Sequence, residues 1–451
     1  MPPFNINRRK FLHTASASLA LSYLGIPGLD IIYPVRKRKV GVIGTGWYGK
    51  NDIFRLIQVA DVDVVALCDV DQKQLEEAAN LIMQRLKTDK KPQLYNDYQA
   101  LLNKHELDIV LIGTPDHWHA LQAIAAIEAG ADVYLQKPTS VDIQESEAIL
   151  AAARKHNRVV QVGTQRRSTP HLMEAKKRFV DSGMLGDVAQ VELSCYYHMR
   201  GRTSPPVQPV PDYFDYENWA GPAPKRPFDG MPHGRWRHFM EYSNGIMGDM
   251  CVHMLDSARW MLDLGYPRRV SSTGGIFVDK KSSANIADTQ NALFEFDELN
   301  CVWQHRTWGK ASDTEYPWAF IIYGDAGTLK ADVRKYEFIP QGKGKAVKGE
   351  ALYEKEKFPE DVNEKRIELH AAPATRRHFL DFLKAIDERS KPVADIEQGH
   401  ISTVSCIAAN ISMELGGRPL QYDPVKKQFH KDRLANKYLS RSYRKGWTHP
   451  A

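Results

Sequence analysis

Apolar residues follow two rhythms along the chain. From residue 39 to residue 164, short unbroken apolar runs alternate with longer stretches at helical spacing. Lys39-Val-Gly-Val-Ile43 is such a run, followed by a helical pattern through Ile53, Leu56, Ile57 and Ala60 and by a second run from Val62 to Cys68. The alternation continues with strands at Leu107–Gly113, Asp132–Leu135 and Val159–Gly163, and helices at His117–Ala129 and Val141–His156. Short β-branched runs of this kind suit strands covered on both faces. Their regular exchange with helices predicts a doubly wound parallel sheet. Further on the rhythm becomes strict alternation at Ala189–Tyr197, Asp288–Phe296, Cys301–Trp308, Trp318–Tyr323 and Thr328–Asp332, the pattern of strands with one wet face. Helical spacing returns near Thr375–Glu388 and His400–Leu415.

The first strand runs into Gly44-Thr45-Gly46-Trp47-Tyr48-Gly49. In a strand–turn–helix context each glycine has its own reason: a tight turn, close approach to a pyrophosphate, and packing of helix on strand. The helix N-terminus, with Trp47 and Tyr48 in its first turn, then offers free N–H groups to an anion. Asp69 ends the second strand about 20 residues later, where a carboxylate accepts from ribose hydroxyls and repels a 2′-phosphate, so NAD is expected over NADP. Ligands of such sheets lie beyond the carboxyl ends of the strands. Those ends carry Thr114-Pro115-Asp116-His117-Trp118-His119 and Gln136-Lys137-Pro138. We therefore expect Thr114, Pro115, His117, His119, Gln136, Lys137 and Gln165 to face the cofactor. Trp118 is as suited to packing as to the dinucleotide.

Composition adds boundaries. The 451 residues carry a net charge of +6 without a long basic run, so a nucleic-acid partner is not expected. The 5 cysteines are widely spaced and contain no C-x-x-C pair, which describes neither a disulfide framework nor a zinc site, and no metal is expected. The N-terminus reads Asn7-Arg8-Arg9-Lys10-Phe11-Leu12, then a weakly apolar stretch to Gly25. Paired arginines before Phe-Leu resemble a twin-arginine export signal, with a basic tail as the alternative. The apolar stretch falls short of the about 20 residues of a membrane span, so no membrane insertion of the mature chain is expected. The expected organisation is a leader over 1–36, a nucleotide-binding domain over 37–164 and a second domain over 165–451. The expected compartment is the periplasm or beyond.

With these pieces in place, the chain resembles the glucose–fructose oxidoreductase, inositol dehydrogenase and MocA (Gfo/Idh/MocA) family. The resemblance rests on the glycine motif, Thr114–His119, Gln136-Lys-Pro138, Gly163-Thr-Gln-Arg-Arg167, Asn244-Gly-Ile-Met-Gly-Asp249 with His253 and Asp256, and Leu439-Ser-Arg-Ser-Tyr-Arg444. It implies an α/β protein with an N-terminal Rossmann domain and a C-terminal α+β domain on a large, mostly antiparallel sheet that often mediates homo-oligomers. The terminal helices of the family pack back between the domains.

The resemblance also implies chemistry. The family signature is Glu-Lys-Pro, and Lys137 matches its lysine, although Gln136 stands in place of the glutamate. Family members use a Lys, Asp and His set, which maps onto Lys137, Asp249 and His253. A spacing of four on a helix would put Asp249 and His253 on one face. His253 then suits the general base that removes a hydroxyl proton, while Lys137 and Asp249 bind and polarise the substrate. The alternative for His253 is a satisfied core histidine. Gln165 and Arg166 could touch nicotinamide or substrate, and Arg167 suits a surface or interdomain ion pair. The stretch Pro205–Arg237 is rich in aromatic residues that would suit either sugar stacking or loop packing.

Three functions fit these expectations. The first is an oxidoreductase of a sugar or polyol hydroxyl that keeps NAD bound and recycles it in each turnover. The second is a redox-neutral, NAD-dependent glycoside hydrolase working by transient oxidation and elimination. The third is a binding protein with a relict nucleotide site.

Overall fold

The computed structural model describes residues 37–196, 200–201, 203–231, 234–363 and 368–450. The leader over 1–36 lies outside the described residues, and with it the export expectation.

The first sheet is built from β1 (Arg38–Ile43), β2 (Val62–Cys68), β3 (Gln93–Tyr95), β4 (Ile109–Ile112), β5 (Asp132–Leu135) and β6 (Val160–Val162). It runs in the order β3-β2-β1-β4-β5-β6, and every pairing is parallel. The central strands β4 and β5 are buried at every position, as strands covered by helices on both faces must be. The chain reverses its winding between β1 and β4, which opens a crevice at the carboxyl ends of these strands.

The second sheet contains β7 (Val188–Cys195), β8 (Arg269–Gly275), β9 (Thr289–Glu295), β10 (Asn300–Arg306), β11 (Trp318–Gly324), β12 (Gly327–Asp332), β13 (Lys335–Pro340) and β14 (Val347–Glu350). Its order is β14-β13-β12-β11-β7-β10-β9-β8. All its pairings are antiparallel except β7 with β10. In β9 and β10 buried and exposed positions alternate, and the buried set includes Phe294, Cys301 and Trp303. The same sheet packs on the helix Val252–Met261 at β7 and β11, and Leu255, Ala258 and Met261 of that helix belong to the shared core.

Two late helices join the halves. Ala372–Glu388 returns to the first sheet, where Phe379 stands 4.4 Å from the Tyr134 ring and Phe382 lies against the same strand. Ile396–Glu414 is buried on all sides along most of its length, and its buried set includes the polar His400, Ser402, Thr403, Ser405, Asn410 and Ser412. Thr403 Oγ1 accepts from the Thr139 N–H at 3.1 Å, and Ser412 Oγ accepts from the Ser272 N–H at 2.9 Å. Arg167 is not at the surface: its guanidinium makes two 2.8 Å hydrogen bonds to Asp256, and both side chains are buried. No described helix is long and apolar enough to cross a membrane.

Candidate functional site

The three glycines that leave β1 divide their work as the motif requires. Gly44 has a φ of +85°, and a Cβ there would strike the Gly113–Thr114 backbone at 2.7 Å. A Cβ on Gly49 would come within 1.8 Å of the Gly44 carbonyl oxygen, so only glycine lets the helix Trp47–Val59 sit on the strand. A Cβ on Gly46 would meet nothing within 4 Å, because this position faces open space at the helix N-terminus. No side chain caps that terminus and no acidic residue stands in its first turn. Uncapped N–H groups with room before them fit a pyrophosphate.

Asp69 is fixed beside this turn. One carboxylate oxygen accepts from the Thr45 N–H at 2.7 Å and the Thr45 hydroxyl at 3.1 Å, and the other accepts from the Asp71 N–H at 3.0 Å. Burial pushes its pKa up, and these hydrogen bonds to the charged form oppose the rise. The residues present therefore fit an NAD adenosine and pyrophosphate.

A cleft of about 1410 Å³ runs from Asp69 across the strand ends to His253. Gly44, Gly46, Trp47, Tyr48, Asp69, Thr114, Pro115, Gln136, Lys137, Asp249 and His253 line it. Four expected cofactor residues, His117, His119, Gln165 and Gly49, do not. His117 is buried with Nε2 3.0 Å from the Trp219 carbonyl oxygen. His119 places Nδ1 2.7 Å from the Pro138 carbonyl oxygen and Nε2 3.0 Å from that of Thr114. Desolvation pushes both imidazoles down to about 4, and since a neutral ring carries one N–H, His119 donates to only one of its two carbonyls. Gln165 reaches the cleft only through Tyr48, whose hydroxyl accepts from its amide at 3.3 Å. Gly49 is spent on packing.

At the far end, the loop after β5 meets the helical segment 247–261. The Lys137–Pro138 bond is cis. The Lys137 ammonium donates to Asp249 Oδ1 at 2.6 Å and to the Asp249 carbonyl at 2.9 Å. Arg237 approaches the same carboxylate oxygen at 3.2 Å. Desolvation raises the Asp249 pKa, but Lys137 and Arg237 more than offset it, so the carboxyl stays ionised below its ordinary value. Met247–Cys251 is π-helical rather than α-helical, and regular α-helix begins at Val252. Inserted π turns recur at functional sites. Here Asp249 and His253 both line the cleft without the ideal helical register expected for them.

His253 is 4% exposed, with its ring 5.8 Å from that of Trp318. Its Nδ1 is buried and has no hydrogen-bond partner among the described residues. Desolvation, then Lys137, Arg166 and Arg237, hold its pKa well below 6.5. It is therefore a neutral imidazole in a cationic pocket. Its Nδ1 lacks the partner that a satisfied core histidine would have.

Other lining residues were not assigned from the sequence. Asp116 stands between β4 and the cleft, 3% exposed, and burial raises its pKa to about 8 against the pull of Arg237 and Lys137. Its signal was its place inside Thr114–His119. Arg237 had none beyond the aromatic stretch that contains it. In that stretch Tyr216 and Trp219 pack with Phe214, Phe228, Phe239 and Tyr242 into a small core. Trp219, Trp236 and Arg237 also reach the cleft wall.

Comparison with known proteins agrees with this architecture. Residues 38–164 match the model of an oxidoreductase family with an NAD-binding Rossmann fold. Residues 171–277 and 330–449 match that family's C-terminal alpha/beta domain. The inositol 2-dehydrogenase of Salmonella paratyphi B is 31% identical over 155 residues, which are 34% of this chain and 44% of that protein. The chain thus spans less than half of that relative. A glycosyl hydrolase family 109 protein of Stenotrophomonas maltophilia is 28% identical over 253 residues, 52% of this chain and 50% of that one. Among solved structures, an inositol dehydrogenase homologue of Azotobacter vinelandii, complexed with NADH and myo-inositol, superposes with a TM-score of 0.61. It is 18% identical and covers 86% of this chain and 98% of its own.

Proposed function

The chain belongs to the Gfo/Idh/MocA oxidoreductase family, and we propose that it oxidises or reduces a sugar or polyol hydroxyl with NAD retained through the turnover. The observation that carries this reading is the neutral His253 beside the Lys137–Asp249 pair, in the same cleft as the uncapped glycine turn.

Bound NAD supplies the hydride acceptor. The chain's own groups handle the proton and the orientation. Asp249 stays ionised and holds the Lys137 ammonium in place. Lys137 polarises the hydroxyl that is to lose its hydrogen. His253 takes the hydroxyl proton, a role that needs a free ring nitrogen at working pH. In the reverse direction the protonated His253 returns it.

The leader motif Arg8-Arg9 supports export of the folded protein. Outside the cytoplasm there is no maintained pool of soluble nicotinamide cofactor, so NAD would be regenerated on the protein by a second substrate. Incubating the purified protein with pairs of polyols and ketoses tests this: one member should reduce the bound nucleotide and the other reoxidise it. Failure of every carbohydrate to change its redox state would contradict the reading.

The second reading is redox-neutral glycoside cleavage, favoured by the match to the glycosyl hydrolase family 109 protein. Release of aglycone without net NADH formation would select it.

A further inference from the structure

The cleft has a wall that belongs to neither of the two large sheets. The last residues of the chain form a strap across its outer end. The strap begins where the Leu439 carbonyl accepts from the N–H groups of Ile143 at 3.1 Å and Gln144 at 3.0 Å. It is held midway by Arg444, whose N–H donates to the Pro222 carbonyl at 2.8 Å and whose Nε donates to the Gly221 carbonyl at 3.0 Å. Beyond Trp447 it is tied down again, with His449 Nε2 3.0 Å from Asp142 Oδ2.

Between these anchors Gly446 adopts a φ of +96°, a region that glycine enters without strain. The turn is closed by the Trp447 N–H donating to the Arg444 carbonyl at 3.1 Å. It brings the Trp447 indole into the cleft lining, edge-on to Trp118 with ring centres 5.0 Å apart. Trp118 in turn stands 5.8 Å from the Tyr98 ring.

The position of this aromatic set along the cleft identifies its partner. Tyr98 follows β3, the edge strand on the Asp69 side of the sheet, whereas Lys137 follows β5 on the opposite side of β1. Trp447 packs against the cluster that holds Cys68, at the end of β2, and Tyr98, so the aromatic set reaches the adenosine end of the cleft, with Trp118, which follows β4, beside it.

We infer that Trp447 is a nucleotide-binding residue. The strap carries it to the adenine subsite, where its aromatic surface retains the base. A strap tied at three points is pre-ordered, so little ordering is left to the moment of binding. Base–aromatic contacts tolerate any base and weaken binding by about tenfold or more when the ring is removed. This inference rests on the NAD reading and supplies a physical basis for holding the cofactor.

The test is nucleotide binding by the full-length protein, without reference to turnover. Release of bound NADH would be followed by fluorescence. Affinities for ADP-ribose and for nicotinamide mononucleotide would be measured by calorimetry. Trp447→Ala should release NADH about tenfold faster or more and weaken ADP-ribose by a similar factor, leaving nicotinamide mononucleotide unchanged. Trp447→Phe should stay within about threefold of the wild type. If Trp447→Ala binds ADP-ribose as tightly as the wild type, the strap has no role in retention, while the NAD reading stands. Equal weakening of both half-molecules would mean loss of fold rather than of a base contact and would overturn the assignment. A wild-type protein that binds neither NAD nor ADP-ribose would overturn both readings.

Discussion

Gln136 donates its side-chain N–H to Asp52 Oδ2 across 2.7 Å. This contact accounts for the glutamine that stands where the family signature has glutamate. Asp52 is buried in the helix Trp47–Val59, and desolvation raises its pKa to about 7, opposed by the Gln136 hydrogen bond and by Arg55. A glutamate would aim a second carboxylate at the first. The adjacent Gly163 leaves it no room to turn away, since a Cβ there would already lie 2.8 Å from the Gln136 amide.

Gln136→Glu should therefore destabilise the protein by about 1–3 kcal/mol through the lost donor and the paired carboxylates. The sign with pH follows from the raised folded-state pKa. A carboxyl that binds a proton more tightly when folded favours folding at low pH, and that contribution is lost as pH rises from 3.8 through about 7. The variant's deficit should thus be larger at about pH 8 than at about pH 5. Thermal melts at the two pH values check this, and a deficit that grows on acidification would refute it.

The depressed pKa of His253 sets the pH profile of oxidation. Because the imidazole is neutral until well below pH 6.5, kcat should show no acid limb assignable to His253 between about pH 8 and that value. His253→Ala should lower kcat by about 100-fold or more with bound NAD retained. An acid limb centred near 6.5 that disappears in His253→Ala would show that the ring is not desolvated in the working enzyme.

Asp69 should decide the choice of cofactor. Its carboxylate is locked by Thr45 and Asp71 and leaves no place for a 2′-phosphate. Asp69→Ala should weaken NAD by about tenfold while improving NADP relative to NAD. Titration of both nucleotides into the variant is the check, and an unchanged preference would move discrimination elsewhere.

The Arg167–Asp256 pair should be structural. It is buried, bidentate and further tied by Ser402, whose hydroxyl donates to Asp256 Oδ1 at 2.9 Å. Arg167→Ala would leave Asp256 beside Arg259 alone and should cost about 3–5 kcal/mol. Denaturant unfolding measures it, and a loss under about 1 kcal/mol would mean that the pair is not what holds the two halves together.

How far the sequence could be read followed from how local each interaction is. Gly44, Gly46, Gly49 and Asp69 act within one strand–turn–helix–strand unit, so their spacing alone pointed to the nucleotide turn. The strands β3, β8, β13 and β14 carry no clear signal because they are short, poor in apolar residues or interrupted by charges. His117 and His119 follow a strand end, a position that in the sequence points to the cofactor. Only the fold reveals that Trp219 and Pro138 offer them carbonyls. Trp447 is the extreme case: its neighbour Trp118 is more than 300 residues earlier in the chain, and no periodicity records that contact. Lys137, Asp249 and His253 were identified only through resemblance to a family, since the geometry that joins them depends on a cis peptide and a π turn.

The central claim is that Lys137, Asp249 and His253 act on a carbohydrate hydroxyl against retained NAD. The most direct test is to mix purified protein carrying its own nucleotide with a panel of polyols and sugars and to record the near-ultraviolet band of NADH. The account predicts that at least one member produces the band in a single turnover. Lys137→Met, still holding NAD, should produce it at least about 100-fold more slowly. Nucleotide present at full occupancy but unreduced by every member of the panel, or reduced equally fast by Lys137→Met, would contradict it.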